Sequence, residues 1–437
     1  MEALACAVQR YAWGKLGRDS AVARVKEAGD ASFVVSAAEP YAEIWMGTHP
    51  NGPATLVSSG ESLYDYLQRP ENASAVGSVP EGYPATDVPF MFKVLSIRTA
   101  LSIQAHPDKT FAPILHARQP DIYKDPNHKP EMCVALTSLE AMKGFRPLSE
   151  IRSHLQQYPE LYSLVGPEAA ERFIALSSPP VSEEETAAAQ EAREAKALES
   201  LFGAFLRCPA DRAQTSVQSV VDRLRSSGGG GGGGESSYLT ELILRLHDDY
   251  PGDTGIFGPL LLNCLQLTPG QAFFMQANEP HAYISGDIVE VMALSDNVVR
   301  AGLTPKFKDV ETLCSMIEYR CVPDLSACLV APILVDPFCT LYRPPASSCQ
   351  EFEVELVTLP AGHGEPYVLQ AHNCASILLF VSGARGQHWV QDSAASPQPL
   401  HDGAIYFLAA GKSLTIVAAD AQVPICLYRA HINLGTS

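Results

Sequence analysis

The chain has 437 residues, with 31 Lys and Arg against 49 Asp and Glu, and its formal net charge is −18. A chain of this length forms about two to four packed units, with ample residues for a large core. The acidic balance argues against nucleic acid or an anionic membrane as the main partner, because both attract cationic surfaces.

The sequence also lacks the patterns of secretion and membrane insertion. Residues 1–6 show no basic segment followed by a long apolar run, and apolar runs such as 377–381 are too short to span a bilayer. The 11 cysteines are scattered without a CxxC pair, which predicts reduced thiols. We therefore expect a cytoplasmic protein without a disulfide framework.

The first half of the chain changes from strand patterns to helical patterns. Residues 1–147 predict mostly short strands between turns, for example at 89–97 and 101–106. The region 148–265 is helical, with one helix over 149–157 and another over 182–206 that has acidic residues in its first turn. Apolar residues at helical spacing predict the buried face of this second helix: Leu198, Leu201, Phe202 and Phe205.

A glycine-rich segment, residues 226–236, interrupts the helical region with seven consecutive glycines at 228–234. A phosphate-binding loop would need a following Lys-Ser/Thr pair and a flanking buried strand, and neither is present. We expect a flexible surface linker between two helices.

Strand patterns return from residue 266. Residues 266–328 complete the first β unit, and 329–437 form a second unit with strands at 352–359, 375–381, 404–409 and 413–418. Gly-rich turns at roughly even spacing favour a β-sandwich or jelly roll. The sequence therefore predicts a mainly β protein with a helical insertion.

Gln104 and His106 are the first candidate functional pair. They are two residues apart in a strand pattern, so together with Ser102 they form one polar face, while the residues between them point the other way. A polar face in an apolar neighbourhood needs water or a ligand. The segment is therefore either a solvated sheet face or part of a metal site.

Glu131 is the second candidate, because it is a carboxylate at the mouth of the apolar strand 132–136. A carboxylate there is costly unless it is paired or metal-bound. Lys129 lies two residues earlier, on the same side if the chain is extended, and Pro130 favours extension. A surface salt bridge between Lys129 and Glu131 is the alternative.

The third candidate group consists of His281 and the charged residues that follow it. Glu290 lies in an apolar alternation where water is scarce, and Asp296 follows. Arg300 and Lys306 supply cations in an acidic protein. Two His, one Glu and one Gln suit Zn²⁺ with an open position, or Mn²⁺ and Fe²⁺, although such distant segments are a weak signal on their own.

Six segments resemble the type I mannose-6-phosphate isomerases (phosphomannose isomerases) in order and rough spacing: residues 11–14, 42–50, 104–109, 128–131, 278–283 and 296–306. The resemblance spans essentially the whole chain. It implies cupin-like jelly-roll β-barrels plus an α-helical domain, with a catalytic domain from 1–147 and 266–328 and a C-terminal cupin-like domain from 329–437. It also implies one Zn²⁺ per subunit and an active-site arginine, Arg300. The implied zinc ligands are Gln104, His106, Glu131 and His281.

The implied reaction interconverts D-mannose 6-phosphate and D-fructose 6-phosphate through an enediol, feeding GDP-mannose synthesis and mannose catabolism. Zinc would polarise the sugar oxygens, and a general base with a pKa near neutrality would remove the proton. Lys129, Glu290 and Asp296 are the candidates for proton transfer. We hypothesise that Lys129 and Asp296 form the proton-handling pair.

The substrate contacts are a further set of expectations. Arg300, Lys306 and Ser102 offer the donors that a phosphate dianion requires, although Lys306 is equally compatible with a solvated loop. Aromatic candidates for the wall of the sugar pocket are Tyr11, Trp13 and Tyr283, whereas Trp45 is expected in the core. Glu43 and His49 are candidates for orienting the ligands.

Other function classes use similar residues. A cupin-type iron or manganese oxidoreductase would need the same two His and one carboxylate, and a non-catalytic sugar-binding or storage cupin would tolerate loss of Lys129 and Arg300. A zinc hydrolase is disfavoured, because the sequence has no HExxH motif or nucleophile elbow. Because no sustained heptad or apolar stripe is evident, we expect a monomer.

Overall fold

The computed structural model describes residues 1–178, 186–226, 235–322, 324–391, 396–418 and 422–435. Within these ranges and along the chain, a run of helices lies between two groups of strands. The predicted class, mainly β with a helical insertion, is confirmed. The predicted glycine linker at 228–234 lies outside the described residues.

The strands that precede the helical region alternate with three short helices. The strands are β1 (Glu2–Ala5), β2 (Ala7–Gln9), β3 (Lys15–Leu16), β4 (Pro40–Tyr41), β5 (Glu43–Met46), β6 (Thr55–Leu56), β7 (Phe90–Ile97), β8 (Ile103–Ala105), β9 (Glu131–Ala135) and β10 (Leu139–Phe145). The helices of this fully described segment are α1 (Ala21–Gly29), α2 (Leu63–Gln68) and α3 (Ala112–Arg118).

The helical region is followed by the strands that complete the first group of strands. The helices are α4 (Leu148–Gln157), α5 (Pro159–Val165), α6 (Pro167–Ser177), α7 (Ala187–Leu206), α8 (Ala210–Ser226) and α9 (Glu235–Asp249). The next elements are β11 (Leu262–Leu267), β12 (Ala272–Met275), β13 (His281–Ala293), β14 (Val299–Gly302) and α10 (Val310–Met316).

The long strand β13 joins the two sheets of the first barrel. Its C-terminal part lies within the order β2-β5-β7-β13-β9-β12, and its first residues lie within the order β11-β10-β13-β8-β14. Strands that are apolar on both faces are stable only when further layers of structure cover those faces. At the start of β13, His281 pairs with Gln104 of β8, and β8 in turn pairs with β14.

Helix α7 shows why the helical region packs as predicted. Thr186 caps it by accepting a hydrogen bond from the backbone N–H of Ala189, and its apolar face is buried together with Phe145 of β10. Burial of each large apolar side chain contributes about 2 kcal/mol. The residues expected on this face are buried: Leu198, Leu201, Phe202 and Phe205. The predicted start at 182 lies outside the described residues.

Residues 333–431, together with β1 and β6, form a second pair of sheets. The strands described in this range are β15 (Ile333–Asp336), β16 (Cys339–Tyr342), β17 (Glu353–Leu359), β18 (Tyr367–Leu369), β19 (Ser376–Ser382), β20 (Gly386–Val390), β21 (Gln398–Leu400), β22 (Ile405–Leu408), β23 (Leu414–Ala418) and β24 (Ile425–His431). One sheet has the order β15-β16-β17-β24-β19-β22-β1-β6, and the other has the order β18-β23-β20-β21. Strand β1 therefore crosses the predicted boundary and joins the C-terminal sheet.

Helix α1 is an element that the strand patterns of residues 1–147 did not predict. Ser20 caps it by accepting a hydrogen bond from the backbone N–H of Ala23, and the helix residues Val22 and Val25 are buried. The Ser cap followed by an Ala-rich segment is a helix signal that the surrounding strand patterns obscured. No helix among the described residues has the length and apolar composition needed to cross a membrane.

Candidate active site

A cavity of about 830 Å³ lies in the first barrel, and the predicted site residues converge on it. The lining includes twelve of them: Tyr11, Trp13, Glu43, Ser102, Gln104, Lys129, Glu131, Tyr283, Glu290, Asp296, Arg300 and Lys306. The predicted ligands His106 and His281 both contact the carboxylate of Glu131. Segments that are distant in the sequence are therefore brought to one place by the pairing of β7, β8, β9, β13 and β14.

Strand register places three polar side chains in one row. His281 of β13 lies opposite Gln104 of β8, and Gln104 lies opposite Arg300 of β14. Directly opposed residues of antiparallel strands project from the same face of a sheet. The row therefore presents an imidazole, an amide and a guanidinium side by side.

Glu131 bridges the two histidines. Its Oε1 lies 3.4 Å from Nε2 of His106, and its Oε2 lies 3.4 Å from Nε2 of His281. The other ring nitrogen of each histidine faces a backbone carbonyl: Nδ1 of His106 is 2.6 Å from the oxygen of Asn297, and Nδ1 of His281 is 2.9 Å from that of Glu279. A carbonyl only accepts, so Nδ1–H donates and Nε2 carries the lone pair.

This arrangement fits a zinc ion. Nε2 of His281 is buried and has no hydrogen-bond partner among the described residues. A buried lone pair that faces a carboxylate oxygen is destabilising unless a cation lies between the two atoms. Two imidazoles and one carboxylate with an open fourth direction form the donor set of a catalytic zinc site.

Gln104 lies beside this group, as expected for two residues on one strand face. Its Nε2 is 3.4 Å from Nε2 of His106, and its Oε1 accepts a hydrogen bond of 2.9 Å from the hydroxyl of Ser102. Coordination through Oε1 requires the amide to turn over, which exchanges the positions of oxygen and nitrogen. Ligation by Gln104 therefore stays a prediction.

The electrostatics of the group favour a neutral His106 and an ionised Glu131. Burial lowers the pKa of His106 to about 4. Burial would raise the pKa of Glu131, but Lys129 and His106 beside it lower that pKa well below its ordinary value. The Nζ of Lys129 is 3.1 Å from Oε1 of Glu131, and both side chains are buried, so this pair is not a surface salt bridge.

Lys93 is a residue of the site that sequence reasoning missed. It lies opposite Glu290 in the register of β7 and β13, with 3.2 Å between Nζ and Oε2 of Glu290 and 3.6 Å to Oε2 of Glu43. Burial disfavours the ammonium, but the carboxylates of Glu43 and Glu290 outweigh it and raise the pKa of Lys93. The available signal was a single lysine inside the apolar strand Phe90–Ile97.

Glu290 and Asp296 differ in their surroundings. Burial and the neighbouring carboxylates of Glu131 and Glu43 raise the pKa of Glu290, against the opposing effect of Lys93. Asp296 is 40% exposed, and its Oδ1 lies 3.3 Å from Nε2 of His49. The hydrogen bond with His49 lowers the pKa of Asp296. Of the two carboxylates, Glu290 therefore has the raised pKa and Asp296 the lowered one.

The cationic and aromatic candidates occupy the mouth of the cavity. No carboxylate among the described residues pairs with the half-buried Arg300, so its guanidinium can meet an anion from solution. Lys306 is exposed at the rim. Trp13 stacks on Tyr11 with ring centroids 5.9 Å apart. Trp45 is buried, as expected, and donates to Glu43.

Two segments of the chain each match a family model. Residues 1–148 match the model of the catalytic domain of type I phosphomannose isomerase, and residues 164–262 match the model of the helical insertion domain of the same enzymes. The resemblance predicted from the short motifs is confirmed.

Curated proteins and solved structures give the same result over nearly the full length. The chain is 39% identical to mannose-6-phosphate isomerase of Homo sapiens over 98% of this chain and 97% of that protein. It is 38% identical to the enzyme of Schizosaccharomyces pombe over 99% of this chain and 100% of that protein. A mutant phosphomannose isomerase from Salmonella typhimurium superposes with a TM-score of 0.74 at 29% identity, covering 99% of this chain and 100% of its own. A solved mannose 6-phosphate isomerase bound with zinc and yttrium gives the same values.

Proposed function

Because the chain belongs to the type I phosphomannose isomerase family and is an isomerase of mannose 6-phosphate, we propose that it is a zinc-dependent aldose–ketose isomerase that forms fructose 6-phosphate through an enediol. The supporting observation is the buried group of His106, Glu131 and His281 beside a cavity lined by Lys129, Glu290 and Arg300. Metal ligands, proton carriers and an unpaired cation in one cavity are the parts that this reaction requires.

One Zn²⁺ at this group is the proposed cofactor, held by the two histidines and Glu131, with Gln104 as the fourth protein ligand. Zinc in such a site acts as a Lewis acid that stabilises charge on the sugar oxygens. The zinc-bound relative supports this choice of metal. The Nδ1–H bonds to the carbonyls of Asn297 and Glu279 fix both rings, so that each Nε2 would be left to bind the ion.

Proton transfer is assigned to Lys129 and a carboxylate. The reaction removes a proton from C2 of the aldose and returns one to C1, while the hydroxyl and carbonyl oxygens exchange roles. Lys129 stands next to Glu131 and therefore next to the sugar oxygens that the metal site would bind. Asp296 was the expected partner, but its contact with His49 keeps it ionised, so we propose Glu290 for this role.

The phosphate group is assigned to the cations at the mouth of the cavity. Arg300 offers a planar set of donors, and within the part of the chain that the structure describes no carboxylate competes for them. Lys306 adds a second positive charge at the rim. Ser102 already donates its hydroxyl hydrogen to Oε1 of Gln104. We therefore propose that Ser102 orients the amide of Gln104 rather than binding the phosphate. Trp13 and Tyr283 form part of the wall around the sugar.

Isomerisation in D₂O tests the proton-transfer mechanism. Lys129 and Glu290 line the cavity. If they exchange their protons with solvent during turnover, deuterium should appear at C1 of the fructose 6-phosphate formed from unlabelled mannose 6-phosphate. Mass spectrometry of the product measures this incorporation. Complete absence of deuterium at C1 would contradict the enediol and indicate an internal hydride shift.

We propose further that the enzyme is a cytoplasmic monomer that supplies GDP-mannose synthesis and mannose catabolism. The 11 cysteines are free thiols, which agrees with a reducing compartment. Strand β15 exposes Ile333, Leu334 and Val335 at the edge of the C-terminal sheet, and this edge is where a dimer would form. Light scattering after size exclusion distinguishes the monomer of 47.0 kDa from a dimer.

A further inference from the structure

A second cluster of metal-ligand side chains lies in the C-terminal pair of sheets, far from the cavity in sequence. Glu355 is on β17, His431 ends β24, and His372 lies between β18 and β19. The register pairs Glu353 with His431 and Glu355 with Arg429. Opposed and alternate residues share a face, so Glu355 and His431 project together from these two strands.

One carboxylate oxygen of Glu355 faces both imidazoles. Its Oε1 lies 3.1 Å from Nε2 of His372 and 3.6 Å from Nε2 of His431, and the two rings stack with centroids 4.0 Å apart. The other oxygen, Oε2, lies 3.3 Å from Nη1 of Arg429. Arg429 therefore occupies only one side of the carboxylate and leaves Oε1 to the histidines.

When the ring of His431 is neutral, its orientation aims the lone pair of Nε2 into the cluster. Burial disfavours the imidazolium, but Cys374 and Glu355 beside it raise the pKa of His431 to about 9, so an ion must displace a proton there. Its Nδ1 lies 3.2 Å from the carbonyl oxygen of Ile432 and 3.4 Å from Oε1 of Glu353. Both oxygens are acceptors, so Nδ1 carries the hydrogen and Nε2 is the free base in the neutral ring. His431 is 1% exposed, and its Nε2 has no hydrogen-bond partner within the described ranges.

The cluster repeats the features of the group at Glu131. In both, a glutamate faces two Nε2 atoms at between 3.1 and 3.6 Å, and a neighbouring cation, Lys129 or Arg429, contacts the same carboxylate. In both, one histidine, His281 or His431, has a buried Nε2 without a hydrogen-bond partner in the described parts of the chain. Three donor atoms at these separations match the ligand spacing of a tetrahedral divalent ion.

We propose that Glu355, His372 and His431 bind a second divalent cation of the zinc class, in addition to the ion at Glu131. Imidazole and carboxylate ligands select Zn²⁺ and similar borderline metals over Ca²⁺ and Mg²⁺. The side chain of His372 is 30% exposed, so the ion reaches the cluster from that side and keeps water in its open position. A proton on His431 is the competing occupant of the same position.

Metal counting tests the second site directly. The full-length protein is stripped of metal, dialysed against excess Zn²⁺ at pH 7.5, washed free of loose metal and measured by mass spectrometry for zinc per chain. We expect two equivalents in the wild type and one in His372→Ala. His401→Ala, which removes an exposed histidine of the same unit outside the cluster, is the matched control and should keep two.

Three results would overturn the second site. They are one equivalent of zinc in the wild-type protein, a second equivalent that persists in His372→Ala, and a second equivalent that disappears in His401→Ala. Because His372 lies outside the first barrel, His372→Ala should keep its isomerase activity, and this shows that the variant is folded. Co²⁺ titration gives an independent count, since the second phase of visible absorption should be absent from His372→Ala alone.

Discussion

The Nε2 of His128 lies 2.8 Å from Oε1 of Glu351, and this contact ties the C-terminal half of the chain to the segment that carries Lys129. Glu351 is fully buried, and the same oxygen also accepts from the hydroxyl of Tyr83 at 2.9 Å and from Nζ of Lys109 at 2.8 Å. Glu351 thus fixes the backbone immediately before Lys129 without lining the cavity.

Glu351→Gln should weaken both the fold and catalysis. The substitution keeps the shape but removes the charge from three hydrogen bonds, so we expect the free energy of unfolding to fall by about 2 kcal/mol at pH 7. We also expect kcat to fall about tenfold, because the Lys129 segment is less well positioned. Denaturant unfolding and steady-state kinetics measure the two effects. Glu365→Gln, at an exposed position, is the control and should change neither.

The stability difference between wild type and Glu351→Gln should also depend on pH. Burial would raise the pKa of Glu351, but His128 and Lys109 hold it well below the ordinary glutamate value of about 4.3. A carboxyl with a lowered folded-state pKa stabilises the protein fully above its unfolded-state pKa and loses this effect as the pH falls. The difference should be constant above about pH 5 and shrink below about pH 4. An unchanged difference at pH 3.5 would contradict this assignment.

Lys129→Met should remove most of the turnover. A positioned proton donor or base contributes about 10²-fold or more to the rate, so we expect kcat to fall by at least that factor. The zinc content should be unchanged, because His106, Glu131 and His281 supply the ligand atoms of the proposed zinc site and Lys129 supplies none. Lys124→Met, at an exposed position five residues earlier, should retain full activity. If Lys129→Met kept most of its turnover, Lys129 would have no part in proton transfer.

Glu290→Gln and Asp296→Asn should differ in their effects on kcat. The buried Glu290 has a raised pKa and pairs with Lys93, whereas Asp296 is hydrogen-bonded to His49 at the cavity edge. We therefore expect the loss in Glu290→Gln to exceed that in Asp296→Asn by about 10-fold or more. Both substitutions preserve side-chain shape, so pH–rate profiles compare them directly. The reverse order would restore Asp296 as the partner of Lys129.

Arg300→Ala and Lys306→Ala should separate two kinds of phosphate contact. Arg300 is half-buried and pairs with no carboxylate of the described residues, so its loss should raise KM for mannose 6-phosphate about tenfold and also lower kcat. Lys306 is exposed, and its loss should raise KM two- to threefold with kcat unchanged, as for a screened surface charge of under about 1 kcal/mol. A KM that stays unchanged in Lys306→Ala would assign that lysine to the solvated loop.

The parts of the fold and the site that depend on residues close together in the sequence could be predicted. The two-residue spacing of Gln104 and His106 placed them on one face, and the apolar strand after Glu131 made its carboxylate a costly group that needed a partner. The helical region followed from the apolar spacing in α7. In each case the prediction depended only on how side chains are arranged within a single strand or helix.

Pairings between distant strands could not be predicted from the sequence. Lys93 meets Glu290 only through the register of β7 and β13, and Glu351 reaches His128 across 223 positions of sequence. The cluster at Glu355 depends in the same way on the pairing of β17 with β24. Side chains such as these look like ordinary strand residues until the sheet order is known.

Zinc-dependent isomerisation of mannose 6-phosphate is the most direct measurement of the proposed function. The rate of fructose 6-phosphate formation is measured before chelation, after chelation and after Zn²⁺ is restored, in the wild type and in His281→Ala. We expect activity that is lost with the chelator and recovered with zinc in the wild type, and none in His281→Ala. Full activity in metal-free wild-type protein, or no activity in zinc-replete protein, would contradict a zinc-dependent isomerase.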